Sequence, residues 1–187
     1  MSLVVLAVGA LLLAAGIAVL GYLGLVTGKL TLDLGIGRRT RPLGPHVVDI
    51  AAPRELVYDI VAQPYLGRTT HAQREKVRVL EPGTDLVLAA HYTRIGAKLR
   101  AQTVETVRFS PPDTVDFRLV RGPVPHVTER FALADHDGGT RLTYTGEMAG
   151  DGWALGARWT AAVARKWEAT VATSLAAVKA EAERRHR

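Results

Sequence analysis

The chain divides by its hydrophobic pattern into two unlike parts. From Leu3 to Val26 runs LVVLAVGALLLAAGIAVLGYLGLV, with no charged residue. As a helix this run extends roughly 36 Å, enough to cross a hydrocarbon core of about 30 Å. A cleaved signal peptide is the alternative, and it needs a basic n-region, a shorter apolar stretch and a small-residue cleavage site. Met1 and Ser2 supply no basic group, although Ala14, Ala15 and Gly16 are small enough for a peptidase. The length of the run favours a retained span. Ala10, Ala14 and Ala18 form a small-residue stripe, read either as a helix-pairing face or as lipid-facing filler.

Residues 27–45 have no sustained period and are rich in Gly, Pro and Arg, which predicts a juxtamembrane connector. Beyond it, His46–Ala51 is a β-branched run that predicts a first strand. Pro53 stands at a helix start, and Leu56, Val57, Ile60 and Val61 follow with helical spacing until Gln63-Pro64-Tyr65. Leu66–Glu75 reads as a loop, with room for a short second helix. Segments of two-residue period follow at Lys76–Leu80, Asp85–Arg94, Lys98–Phe109, Thr114–Val120, His126–Leu133 and Thr140–Met148. Turn residues such as Asp137-Gly138-Gly139 separate them, which predicts an antiparallel meander with one buried face. From Trp153 to Arg184 no proline interrupts a helical pattern, with Asp151 available as its cap. Trp159, Val163, Trp167, Val171, Leu175 and Val178 make one stripe along about 48 Å of helix. Only the meander is broad enough to cover that stripe. The expected fold is therefore α+β, a curved antiparallel sheet wrapped around a long C-terminal helix, preceded by one transmembrane helix. The expected division is 1–26 span, 27–45 linker and 46–187 globular domain.

Composition narrows the chemistry. Hydrophobic residues make up 48% and charged residues 22% of the 187, which excludes a disordered chain. With no cysteine, disulfide scaffolds, iron–sulfur centres and thiol nucleophiles are excluded. The net charge of +6 comes with many Arg, no Asn and abundant Ala, the signature of GC-rich codons, so it says little about nucleic acid. Arg100, Arg108, Arg118 and Arg130 lie on the polar parity of their strands without aromatic interleaving, and read as a solvated face. No nucleic-acid partner is expected. Gly35-Ile36-Gly37 lacks the third glycine and the strand–helix setting of a dinucleotide loop, there is no phosphate loop, and no cofactor is expected. The serines, Ser2, Ser110 and Ser174, sit in no nucleophile elbow. Lys29, Arg38, Arg39 and Arg41 follow the span while none precedes it, which predicts a single-pass protein of the cell membrane with its C-terminal domain in the cytoplasm. Arg38, Arg39 and Arg41 read either as lipid-surface contacts or as a solvated linker.

The element order, from about His46 to Arg185, resembles the START-like (SRPBCC) superfamily, with its polyketide cyclase/dehydrase and lipid-transport family. The likeness rests on Ile50-Ala51-Ala52-Pro53-Arg54-Glu55-Leu56-Val57-Tyr58 at the strand–helix junction and on Phe109-Ser110-Pro111-Pro112. It rests also on Arg121-Gly122-Pro123-Val124, Gly138-Gly139-Thr140-Arg141-Leu142-Thr143-Tyr144 and the Trp-bearing last helix. The resemblance implies a helix-grip fold with an apolar cavity between sheet and helix, holding lipids, sterols, polyketides or quinones. In a minority of members it implies cyclisation or dehydration. A membrane span before the domain is unusual for the soluble cyclases and turns the expectation toward a membrane-soluble ligand.

Strand alternation gives the candidate lining: Leu88, Ala90, Tyr92, Ala101, Phe117, Glu129, Phe131 and Tyr144, faced by Trp159 and Trp167. Glu129, on the parity of Val127, Phe131 and Leu133, is either a desolvated acid with a raised pKa or a rim carboxylate paired with Arg. Tyr144 and Tyr92 offer hydroxyls to a ligand or are ordinary core tyrosines. Trp159 and Trp167 stack on a flat ligand or simply pack. His91 and His126 fall on the opposite parity or at the strand mouth, and no short spacing makes them a metal site with Glu129. Three functions stay open: a membrane-tethered carrier of a hydrophobic small molecule, a cyclase/dehydratase using Glu129 or Tyr144, and a scaffold with a closed interior and a protein partner.

Overall fold

All the two-residue-period segments join one antiparallel sheet in the computed structural model, which describes residues 3–67, 75–97 and 99–187. Helix α1 (Leu3–Val26) is followed by β1 (Arg39–Ile50), α2 (Arg54–Ala62) and a 3-10 turn (Gln63–Tyr65). Then come β2 (Val77–Glu81), β3 (Leu86–Arg94), β4 (Arg100–Ser110), β5 (Thr114–Arg121), β6 (His126–His136) and β7 (Gly139–Gly150). A final helix, here α3, spans Trp153–His186. The strand order is β1-β7-β6-β5-β4-β3-β2, so the first and last strands in sequence are neighbours. The sheet is curved, and α3 lies across it against β1 and β7, with α2 packed on α3. The expected loop at 66–75 falls largely outside the described residues.

One core fills the contact between the layers. Leu142, Val127, Val115 and Val107 of the sheet meet Val171 and Leu175 of α3 and Val57 and Ile60 of α2, all buried. The predicted helical stripe is the one that docks: Trp159, Val163, Trp167 and Val178 pack partly buried beside Val171 and Leu175.

Two features differ from expectation. First, β1 begins at Arg39 rather than His46, its N-terminal half pairing with β7 from Arg39↔Gly150 to Leu43↔Gly146. Pro42 and Pro45 obscure this strand in the sequence, but β1 is an edge, where a missing N–H is tolerated. A register shift between Leu43 and His46 centres on Gly44, whose φ of +72° and closeness to the Tyr144 carbonyl leave no room for a Cβ. Second, Asp151 does not cap α3, whose N-cap is Gly152. Its carboxylate instead accepts from the backbone N–H of Leu34 (2.6 Å) and Gly35 (2.8 Å) and from Arg38 Nε (2.7 Å). Arg38, expected at lipid or in solvent, is thus clamped to the start of α3 and also paired with Asp33.

The Arg38 guanidinium, helped by the two backbone donors, holds the Asp151 carboxyl down at about 2. A depressed carboxylate stabilises the fold above its unfolded pKa near 4, and the contribution is lost as pH falls toward 2. Asp151→Asn is expected to lower stability at pH 7 by about 1 kcal/mol and to flatten the wild-type loss between pH 4 and 2. Thermal melts of both proteins across that range check this.

Candidate functional site

The concave face of the sheet carries two buried carboxylates among aromatic rings. Cross-strand pairing puts Val107, Phe117, Glu129 and Gly146 in one row across β4, β5, β6 and β7, so all four share a face. Phe131 and Tyr144 form the next pair of that face. Rings run along it in edge-to-face contact: Phe117 to Phe131 at 5.5 Å and Phe131 to Tyr144 at 5.2 Å between centroids.

Glu129 is the meeting point of three elements. Its Oε1 accepts from the Tyr144 hydroxyl of β7 at 2.6 Å and from the Trp167 indole N–H of α3 at 2.6 Å. Only 8% of the residue is exposed. Burial, reinforced by the nearby Glu105 charge, pushes its pKa from 4.5 up to about 7, against the pull of the Tyr144 and Trp167 donors. Burial and the same carboxylate drive the Tyr144 hydroxyl well above its ordinary value, so it stays a donor.

Glu105 anchors a second group. It accepts from Thr103 Oγ1 at 2.6 Å and faces His91 Nδ1 at 3.2 Å, while His91 Nε2 lies 2.9 Å from the Tyr65 hydroxyl. Burial works against the charged form of both partners, but their mutual attraction outweighs it: His91 is raised and Glu105 lowered, both in the direction that favours the ion pair. The Tyr65 hydroxyl is pushed up by burial and by the two carboxylates. Tyr65 follows α2 in the 3-10 turn and its ring touches Phe109, Phe117 and His91.

Several of these inward groups keep contact with solvent. Of the His91 side chain 18% remains accessible. Tyr65, Phe131, Trp167 and Val163 are likewise only half-buried. A concavity of about 360 Å³ sits beside the C-terminal turns of α3, between Asp49, His136, Lys179 and Glu183. Asp49 with His136 and Lys179 with Glu183 form ion pairs in its walls beside Ile50 and Ala51, and it lies outside the aromatic row.

The structure brings together Phe117, Glu129, Phe131, Tyr144 and Trp167, and puts Ala101 on the same face as Glu105. Trp159 stands nearer the start of α3, its indole N–H donating to the Pro123 carbonyl at 2.7 Å. Leu88, Ala90 and Tyr92 are a correction: they pair with Thr106, Val104 and Gln102 on the convex face, while Val87, Ala89 and His91 turn inward. Both parities of β3 are apolar, so alternation alone does not choose between them, and taking Leu88, Ala90 and Tyr92 as the inner row leaves His91 on the opposite parity. His126 is on the convex face, bound to Glu147 at 2.8 Å, so it shares no site with His91. Among the described residues no group of three His, Asp or Glu is arranged to hold a metal ion. His91, Glu105 and Tyr65 were missed, yet the parity that put Ala101 inward also carries Thr103 and Glu105.

Residues 46–183 match the model of the family described as polyketide cyclase / dehydrase and lipid transport. The chain belongs to that family. No curated protein matches its sequence. Among solved structures it is similar to the Zhui aromatase/cyclase of Streptomyces sp. R1128, with 20% identity and a TM-score of 0.61 over 80% of this chain and 96% of the other. It is similar also to norcoclaurine synthase of Thalictrum flavum, solved with dopamine and hydroxybenzaldehyde, with 11% identity and a TM-score of 0.61 over 81% and 90% of the two chains. These likenesses establish the helix-grip fold.

A raised carboxyl destabilises the native state as pH climbs from its unfolded to its folded pKa, here from about 4.5 to about 7. Glu129→Gln keeps both hydrogen bonds without the charge. It is expected to leave stability unchanged at pH 4 and to raise it above pH 7 by on the order of 3 kcal/mol. Tyr144→Phe removes a donor to the carboxylate and is expected to move the Glu129 titration, followed by carboxyl-carbon NMR, upward.

Proposed function

We propose that the protein is a membrane-tethered member of the family that holds a small hydrophobic molecule, with at least one ring and one oxygen function, against the concave face of its sheet. The observation that carries this reading is Glu129, buried among rings and shared by Tyr144 and Trp167. A carboxylate in that setting costs several kcal/mol unless it is paired or neutral, more than a purely greasy cargo would require. Near pH 7 it offers either a proton to a ligand carbonyl or an acceptor to a ligand hydroxyl. Phe117, Phe131 and Trp167 supply flat apolar area, worth about 25 cal/mol per Å² buried. The Zhui protein, an aromatase/cyclase by name, and norcoclaurine synthase, solved with two small aromatic compounds, support a ring-bearing occupant. Helix α1, long and apolar enough to cross a membrane, supports the tether and a ligand drawn from the lipid phase. The basic residues after it support a cytoplasmic domain.

A second reading, that the bound molecule is also transformed, has its own observation. Tyr65, His91 and Glu105 form a chain of groups joined by a hydrogen bond and an ion pair, able to pass a proton toward or from the concave face. In that reading the His91 imidazolium, held by Glu105, is the acid and the Glu129 carboxylate the base.

Full-length protein in nanodiscs of phosphatidylcholine and phosphatidylglycerol is expected to take up planar phenolic probes with quenching of Trp167 fluorescence. Glu129→Ala is expected to weaken that uptake about tenfold; titrations with no saturable quenching in the wild type would overturn the proposal. Under the second reading, His91→Gln spares probe binding while abolishing any turnover of the ligand identified by mass spectrometry of lipid extracts. A variant that loses binding and turnover together speaks for binding alone.

A further inference from the structure

The end of the domain next to α1 carries a surface that nothing in the family fold requires. In the antiparallel sheet the β3–β4 and β5–β6 turns, the start of β1 and the start of α3 all lie at one end, which we call proximal. The β2–β3, β4–β5 and β6–β7 turns lie at the other. The connector after α1 is pinned to the proximal end within a residue of the span. The Gln102 N–H donates to the Thr27 carbonyl at 2.9 Å, and Gly28, with φ of +68°, presses so closely on the Gln102 carbonyl that no Cβ fits. Thr31 and Gly122 exchange two hydrogen bonds, Thr31 Oγ1 donating to the Gly122 carbonyl at 2.6 Å and accepting from the Gly122 N–H at 3.0 Å. The Arg38–Asp151 clamp completes the attachment, and the Tyr22 ring of α1 stands 6.4 Å from that of Trp159.

The proximal end is also greasy. Leu155 is 77% and Trp153 61% exposed, and Val120, Leu34, Ile36 and Leu99 are exposed beside them. The Trp153 ring lies over Gly37, and the backbone N–H groups of Gly152 and Trp153 donate to the carbonyls of Ile36 and Gly37, so the connector and the start of α3 form one patch. Positive charge without an acidic partner is found there as well. The proximal turns bear Arg94, Arg100 and Arg121, with Lys29 and Arg158 nearby, none in an ion pair given by the structure among the described residues. At the distal end the cations are matched: Arg54 pairs with Asp113, Arg108 with Asp85, Lys179 with Glu183, and Arg184 and Arg185 with Glu181.

We infer that the proximal end is a lipid-docking surface, with Leu155, Trp153 and Val120 seated in the interface of an anionic bilayer. This rests on the reading of α1 as a membrane span. If α1 crosses the bilayer, a connector fixed at Thr27 leaves no slack, and the face that meets the headgroups is the one carrying exposed apolar side chains, two tryptophans and a rim of unpaired cations. Such a composition fits the interfacial zone, where aromatic rings and basic side chains are both favoured. Trp159 stands where this surface meets the concave face, so a molecule leaving the lipid would reach the aromatic row without crossing bulk water.

The absence of native cysteine makes the test direct. Full-length protein carrying a spin label at Leu155→Cys, Val120→Cys, Asp137→Cys or Leu12→Cys is placed in vesicles of phosphatidylcholine and phosphatidylglycerol. Collision with oxygen, which partitions into lipid, is compared with collision with a water-soluble nickel chelate. The expected result is an oxygen-to-nickel ratio several-fold higher at 155 and 120 than at 137, approaching that at 12. A lipid signature at 12 with water-like values at 155 and 120 overturns the docking surface while leaving the span intact. A water-like value at 12 overturns the span, and this inference with it.

Discussion

The arrangement turns on a carboxylate that is expensive to bury. Glu129 is offered two donors from different layers, a hydroxyl from β7 and an indole from α3, and those bonds fix the angle at which the long helix crosses the sheet. Apolar packing alone is tolerant of sliding, because one methyl-lined groove resembles the next along a helix. A buried acid with short, directional partners is not tolerant, since a shift of one turn would strand the charge. Trp167 therefore acts as a register mark for α3, while Val171 and Leu175 supply the bulk of the apolar contact around it.

The two acids on the concave face solve the same problem differently. Glu105 keeps its charge by facing His91, whereas Glu129 has neutral donors only and drifts toward the protonated form. Burial without a cationic partner drives the rise at Glu129, and the ionised Glu105 adds to it by making a second charge harder to form. A site with one fixed anion and one carboxyl that titrates near neutrality contains both halves of acid–base chemistry within a single apolar wall.

What the sequence disclosed, and what it hid, follows from the range of the forces involved. The β6–β7 hairpin was legible because Asp137-Gly138 sets its turn and Val127, Phe131 and Leu133 alternate cleanly, which placed Glu129 and Tyr144 correctly. The stripe from Trp159 to Val178 was legible for the same reason, a periodic apolar signal with one solution. On β3, by contrast, both faces are apolar and the deciding fact is the pairing of His91 with Glu105 on a neighbouring strand. The connector hid its attachment to the domain, because the contacts that make it join residues far apart in the chain, as Arg38 does with Asp151. The prolines of β1 then argued locally against a strand that only an edge position permits.

The pairing of β1 with β7 also dictates when the molecule can be assembled. The ribosome releases β1 first of the strands and its partner β7 only after every other strand has been made. Until then β1 waits with its hydrogen-bonding edge open, and loop closure over so long a separation is slow. If α1 has already been handed to the insertion machinery, this wait takes place at the membrane. The nascent chain would then fold on a leash, its two-dimensional confinement keeping unfinished copies close to one another and making chaperone cover during translation a matter of survival for the edge.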